Sequence, residues 1–141
     1  GMLEALAGAG ALPRPLFTGG DDKLAFFELR SEEEVRRLAP DFARLARAGS
    51  GEALVCAGGA GGAGVDFVSR FFAPGVGIDE DPVTGSAHCY LAPYWAAKLS
   101  RSRLVGRQVS ARGGLVACRP AGDRVLIGGR AVAVLEARLL A

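Results

Sequence analysis

A run from about Ser86 to Ser100 is apolar on nearly every side, and it limits what this chain can fold into more than any other feature. Cys89, Tyr90, Leu91, Tyr94, Trp95 and Leu99 recur at helical spacing on several faces, so the helix they predict has no single dry stripe. Such a helix is stable only when other elements enclose it. Pro93 removes one intrahelical donor and raises the cost that enclosure must offset. The flanking sequence offers β-type runs at 23–29, 53–57 and 65–72, then 108–111, 115–118, 125–127 and 131–135 as a meander with glycine and aspartate turns. Ser31 before three glutamates, and Asp41 after Pro40, predict two short helices between the first strands. The expectation is an α+β domain with a sheet closed around a central helix.

That helix begins in the most chemically loaded stretch of the chain. Phe71-Phe72-Ala73-Pro74 leads to Gly77-Ile78-Asp79-Glu80-Asp81-Pro82-Val83-Thr84-Gly85-Ser86-Ala87-His88, which reads as strand, polar turn, then helix. The first N–H groups of a helix have no intrahelical partner, and the macrodipole adds roughly half a positive charge there. A carboxylate or phosphate suits that end. Thr84 or Ser86 can cap the helix or donate to a ligand, Gly85 allows close approach to the backbone, and Pro82 stiffens the turn. Asp81 reads as an orienting hydrogen-bond acceptor, not a proton donor. His88, the only histidine, can bond a ligand or serve the structure, and one imidazole makes no metal cluster. Capping turns of this composition also begin helices that bind nothing, so pattern alone leaves both readings open.

Arg70-Phe71-Phe72-Ala73-Pro74, Gly77-Ile78 and Glu80-Asp81-Pro82-Val83-Thr84-Gly85-Ser86-Ala87-His88 resemble the signature of the PhzF-like phenazine-biosynthesis isomerase family. The resemblance continues through Leu91-Ala92-Pro93-Tyr94-Trp95, Ser110-Ala111-Arg112-Gly113-Gly114 and Val125-Leu126-Ile127-Gly128-Gly129, and so covers nearly the whole chain. It implies the diaminopimelate epimerase fold, in which two similar halves each wrap a mixed, barrel-like sheet around a central helix and share an active site between them. Residues 1–141 are then one domain corresponding to the C-terminal half. The resemblance implies that Asp81 contacts substrate, while Gly85 and Ser86 line the site. The family's principal acid/base glutamate and a further histidine belong to the other half.

Length and composition agree with one soluble globular domain: 141 residues, half of them hydrophobic, 23% charged, with a net charge of only +2. That balance lacks the cationic surplus of a nucleic-acid binder. No apolar run approaches the roughly 20 residues of a membrane span, and nothing resembles a signal core, so a cytoplasmic protein is expected. Gly1 ahead of Met2 reads as a remnant of tag cleavage before a natural initiator. Cys56, Cys89 and Cys118 are odd in number and without C-x-x-C spacing, which predicts reduced core thiols rather than disulfides or a metal site. Gly59, Gly61 and Gly64 fit G-x-G-x-x-G, but Val65-Asp66-Phe67-Val68 predicts a strand where a dinucleotide site needs a helix, so the loop reads as a hairpin connection. Arg112-Gly113-Gly114 and Gly128-Gly129-Arg130 fall between β-type runs and read as turns.

Two functions follow as expectations. The first is half of an isomerase acting on a small carboxylated metabolite by proton transfer without metal or organic cofactor. Asp81 would orient the substrate, Thr84, Gly85, Ser86 and His88 would bind it, and an acid/base would come from another chain or from Asp79 or Glu80. The second chain would be another copy, giving a homodimer, or a separately encoded N-terminal half. An unpaired edge at 131–139 favours such association. The alternative is a non-catalytic anion-binding or interaction domain that keeps the helix end without the chemistry.

Overall fold

The computed structural model describes residues 1–7, 17–18, 24–59 and 64–139, whose eight strands join in one mixed sheet. In chain order the elements are α1 (Met2–Ala7), β1 (Phe17–Thr18), β2 (Ala25–Glu28), α2 (Glu32–Arg37), α3 (Phe42–Ala46), β3 (Ala53–Gly58), β4 (Phe67–Ala73), β5 (Ile78–Asp81), α4 (Gly85–Leu99), β6 (Leu104–Gln108), β7 (Gly114–Ala121) and β8 (Arg124–Gly128). The strands lie in the order β1-β2-β3-β4-β6-β7-β8, with β5 also paired to β4. β2 runs parallel to β3, and β4 to β6; the other pairs are antiparallel.

Period-two alternation sends side chains of β2, β3 and β4 into two cores. Phe27, Val55, Val68 and Phe72 meet Leu6, Val35 and Leu45 of α1, α2 and α3 on one face. Phe26, Leu54, Cys56 and Phe67 meet Leu91, Ala92 and Trp95 of α4 on the other, joined there by Leu104, Val116 and Cys118. The cluster built on this one helix, about 10 Å across, draws side chains from five neighbouring strands that would span roughly 19 Å if laid flat. The sheet must therefore curl around α4. Phe67 stacks on Trp95 at 5.9 Å, and Lys98 bonds Glu28 of β2 at 2.5 and 2.6 Å, fixing the far end of the helix.

The short helices start where their caps predict: Ser31 Oγ accepts from Glu34 N at 3.2 Å and Asp41 Oδ1 from Arg44 N at 3.0 Å. β3 and β4 pair antiparallel, so the glycine-rich connection does join a hairpin. Its residues 60–63, including Gly61, lie outside the described residues, as does Lys23 of the first predicted strand.

Four expectations need correction. Residues 78–81, read as a polar turn, form β5, because β4 offers it a free edge; Phe71 pairs with Asp81 and Ala73 with Ile78. The strand placed at 108–111 lies at Leu104–Gln108. Residues 131–135 form no strand, and Val132, Val134, Leu135 and Leu139 are 82–98% exposed, although β8 ends the sheet with one edge unpaired. Enclosure of α4 is also one-sided: Ala87, His88, Leu91, Ala92 and Trp95 are buried, whereas Ser86, Cys89, Tyr90, Pro93 and Ala97 form an exposed stripe.

Candidate active site at the entrance of helix α4

β4 brings the site together by holding two strands end to end along one edge. Ser69 pairs with Gln108 of β6, and two residues further on Phe71 pairs with Asp81 of β5. The short connection from Asp81 into α4 is therefore fixed beside the end of β6. Thr84 is the N-cap, extended at φ −104° and ψ 105°, but its side chain makes no capping bond. Its hydroxyl turns back and donates to Asp81 Oδ2 at 2.5 Å. The first N–H groups of a 15-residue helix thus lack the usual side-chain cap, next to a carboxylate held in place by its own loop.

Gln108, fully buried, supplies the other half of that geometry. Its Nε2 donates to Asp81 O at 2.6 Å and to Thr84 Oγ1 at 3.0 Å, while its Oε1 accepts from Thr84 N at 2.8 Å. Ser110 Oγ donates to Pro82 O at 2.7 Å and accepts from Gly113 N at 3.0 Å. Sequence reading missed Gln108 and the role of Ser110. The available signal was a glutamine at an inward position of a β run, where an unpaired amide would be costly to bury.

The sequence-predicted residues separate into two groups. Asp81 is half-buried, Thr84 buried, Gly85 partly covered and Ser86 exposed, so these four gather at the helix entrance. His88 belongs to the interior instead. Its Nδ1–H donates to Thr84 O at 2.7 Å, and its other nitrogen lies behind Phe67 and β6, where a Cβ on Gly106 would come within 3.0 Å of it. Burial pushes its pKa down, only partly opposed by the bond to Thr84. A ligand at the exposed helix end meets the backbone before it meets this ring.

Glu80 is also committed elsewhere, to a bidentate pair with Arg70, whereas Asp79 is exposed. Cys56 and Cys118 are buried as expected, but Cys89 is exposed on the uncovered stripe of α4. Among the described residues, no three of His, Cys, Asp and Glu group as metal ligands would, and no helix is long and apolar enough to cross a membrane.

A mixed sheet curled around one helix, whose N-terminus carries no side-chain cap, defines a diaminopimelate epimerase-like lobe. The chain belongs to the phenazine biosynthesis-like protein family, whose profile matches residues 2–137. It is 50% identical over 139 residues to an uncharacterized isomerase of Pseudomonas aeruginosa, covering 99% of this chain and 52% of that protein. A second uncharacterized isomerase of the same organism is 46% identical over 142 residues, covering 99% and 50%. Among solved structures, a PhzF family protein of Enterococcus faecalis superposes with a TM-score of 0.76 at 40% identity, over 89% of this chain and 46% of its own. The chain thus spans about half the length of the relatives it matches.

Proposed function

We propose that this chain forms one half of a PhzF-like isomerase site that moves a proton on a small carboxylated metabolite, without metal or organic cofactor, in the cytoplasm. The observation that carries this reading is the Thr84 hydroxyl turned onto Asp81, which leaves the start of α4 uncapped beside a fixed carboxylate. The N–H groups of Gly85 and Ser86, with the Ser86 hydroxyl, would hold the substrate carboxylate. Asp81 would orient an adjacent donor on the substrate. A second chain would close the cleft and bring the acid/base, either another copy of this chain in a homodimer or a separately encoded N-terminal half. Two features support that second chain: the exposed stripe of Cys89, Tyr90, Pro93 and Ala97 running from the site, and the uncovered apolar residues at 132–139.

The test is deuterium incorporation from D2O into a panel of small amino- and hydroxycarboxylates, followed by mass spectrometry. Wild-type protein in its native assembly should incorporate label at the carbon next to the carboxylate, and folded Asp81→Ala should not. Equal incorporation by both would remove Asp81 from the chemistry. Binding of a carboxylate without any incorporation would favour a pure anion-binding domain.

A further inference from the structure

We infer that Gln108 and Ser110 are positioning residues for this site, forming a clamp on β6 and its following turn that sets the shape of the 81–84 loop and the direction of its hydroxyl. The inference rests on the reading of Asp81 as the substrate-orienting group. Gln108 bonds Asp81 O, Thr84 N and Thr84 Oγ1; Ser110 bonds Pro82 O. Val83, the remaining loop residue, lies where a Cβ on Gly114 would be only 2.5 Å from it, so the absent side chain at 114 is part of the same fit. Each residue of the loop is thus fixed from the 108–114 segment, which pairs the Asp-Pro-x-Thr-Gly-Ser word with a second one, Gln108-x-Ser110-x-x-Gly113-Gly114.

The amide also fixes a direction. Its NH2 group only donates, so Thr84 Oγ must accept from Gln108 and has its single proton left for Asp81 Oδ2. The Asp81 carboxylate is thereby held as an acceptor, anchored through one oxygen. A glutamate at 108 would keep the acceptor for Thr84 N but lose both donors, and would compete with Asp81 for the Thr84 proton.

The test uses the intact chain and needs no substrate for its decisive readouts, so it returns an answer even if the isomerase reading fails. In Gln108→Ala, hydrogen exchange at the Thr84 amide should accelerate about tenfold or more, the scale of one lost buried hydrogen bond. In Ser110→Ala the same should happen at Gly113. In Gln108→Glu the Thr84 amide should stay protected to within about threefold, while the carboxyl carbon resonance of Asp81 moves well beyond those of Glu80 and Asp66. Should Gln108→Ala not fold, the near-isosteric Gln108→Glu decides alone. An Asp81 carboxyl resonance that stays in place in a folded Gln108→Glu protein would overturn the clamp. With any carboxylate that the wild type labels, Gln108→Glu should lower the rate at saturation at least tenfold with KM within about threefold, since misplacement affects the reacting geometry more than binding. An unchanged rate would likewise overturn it.

Discussion

Arg70 holds Glu80 through two bonds of 2.7 and 2.9 Å, one residue before Asp81. The same guanidinium donates to Leu38 O at 2.7 Å and Val35 O at 3.3 Å, so it also satisfies carbonyls at the end of α2. The side chains are 12% and 18% exposed. The pair therefore ties β4, β5 and α2 together, and Glu80 is a structural group. Glu80→Ala would leave a largely buried cation without its partner, at a cost of about 3 kcal/mol. Thermal unfolding should show a fall in Tm of roughly 5–10 °C; an unchanged Tm would mean that the pair contributes nothing.

His88 gives stability a defined pH dependence. Burial holds its folded pKa below the ordinary value near 6.5, so between the two values the unfolded chain binds a proton that the fold refuses. Stability is full above the unfolded value and falls as pH drops through that window, by at most about 1.4 kcal/mol per unit. Urea midpoints measured from pH 8 to 5 should fall in the wild type and flatten in His88→Gln. Parallel profiles would place the proton elsewhere.

Thiol reactivity should divide the cysteines cleanly. Burial pushes Cys56 up to about 12 and Cys118 to about 11, while Cys89 is exposed. A thiol reagent at pH 8 should modify Cys89 alone in the native protein and all three in denaturant. Rapid native labelling of Cys56 would contradict the enclosed α4 core.

Gly106 is required by its neighbours and not by its own backbone angles. A Cβ there would lie 2.5 Å from two carbons of the Phe67 ring and 3.0 Å from His88 Nε2. Gly106→Ala should destabilise by about 1–3 kcal/mol, the usual range for overpacking. Combining it with Phe67→Leu should recover part of that loss in a double-mutant cycle. Strict additivity would show that the ring does not press on this position.

The parts of the fold that local chemistry dictates were legible. The apolar run that begins at Ser86 became α4 within one residue at each end, and Ser31 and Asp41 capped their helices as predicted. The parts that depend on pairing were not. β5 contains Asp79, Glu80 and Asp81, poor strand formers that are extended only because β4 holds them. β6 was displaced because Gly106 and Gln108 occupy inward positions where an apolar residue would have revealed the alternation. Residues 131–135 have strand-like composition but pair with no described strand, even though β8 keeps an open edge, so composition alone does not decide pairing. At the site, Asp81, Thr84, Gly85 and Ser86 were visible as one contiguous word. Gln108 was not, because its contact with Asp81 spans 27 residues and depends on both strands meeting along β4.

Whether a second chain completes the cleft is tested most directly by the native mass of the protein isolated without denaturation from the cells that make it, measured by light scattering coupled to mass spectrometry. The account predicts a particle clearly heavier than the 14.5 kDa chain, composed of two copies or of this chain with a co-purifying first-half partner. A lone 14.5 kDa particle across the accessible concentration range would contradict it and leave Asp81 facing an open helix end.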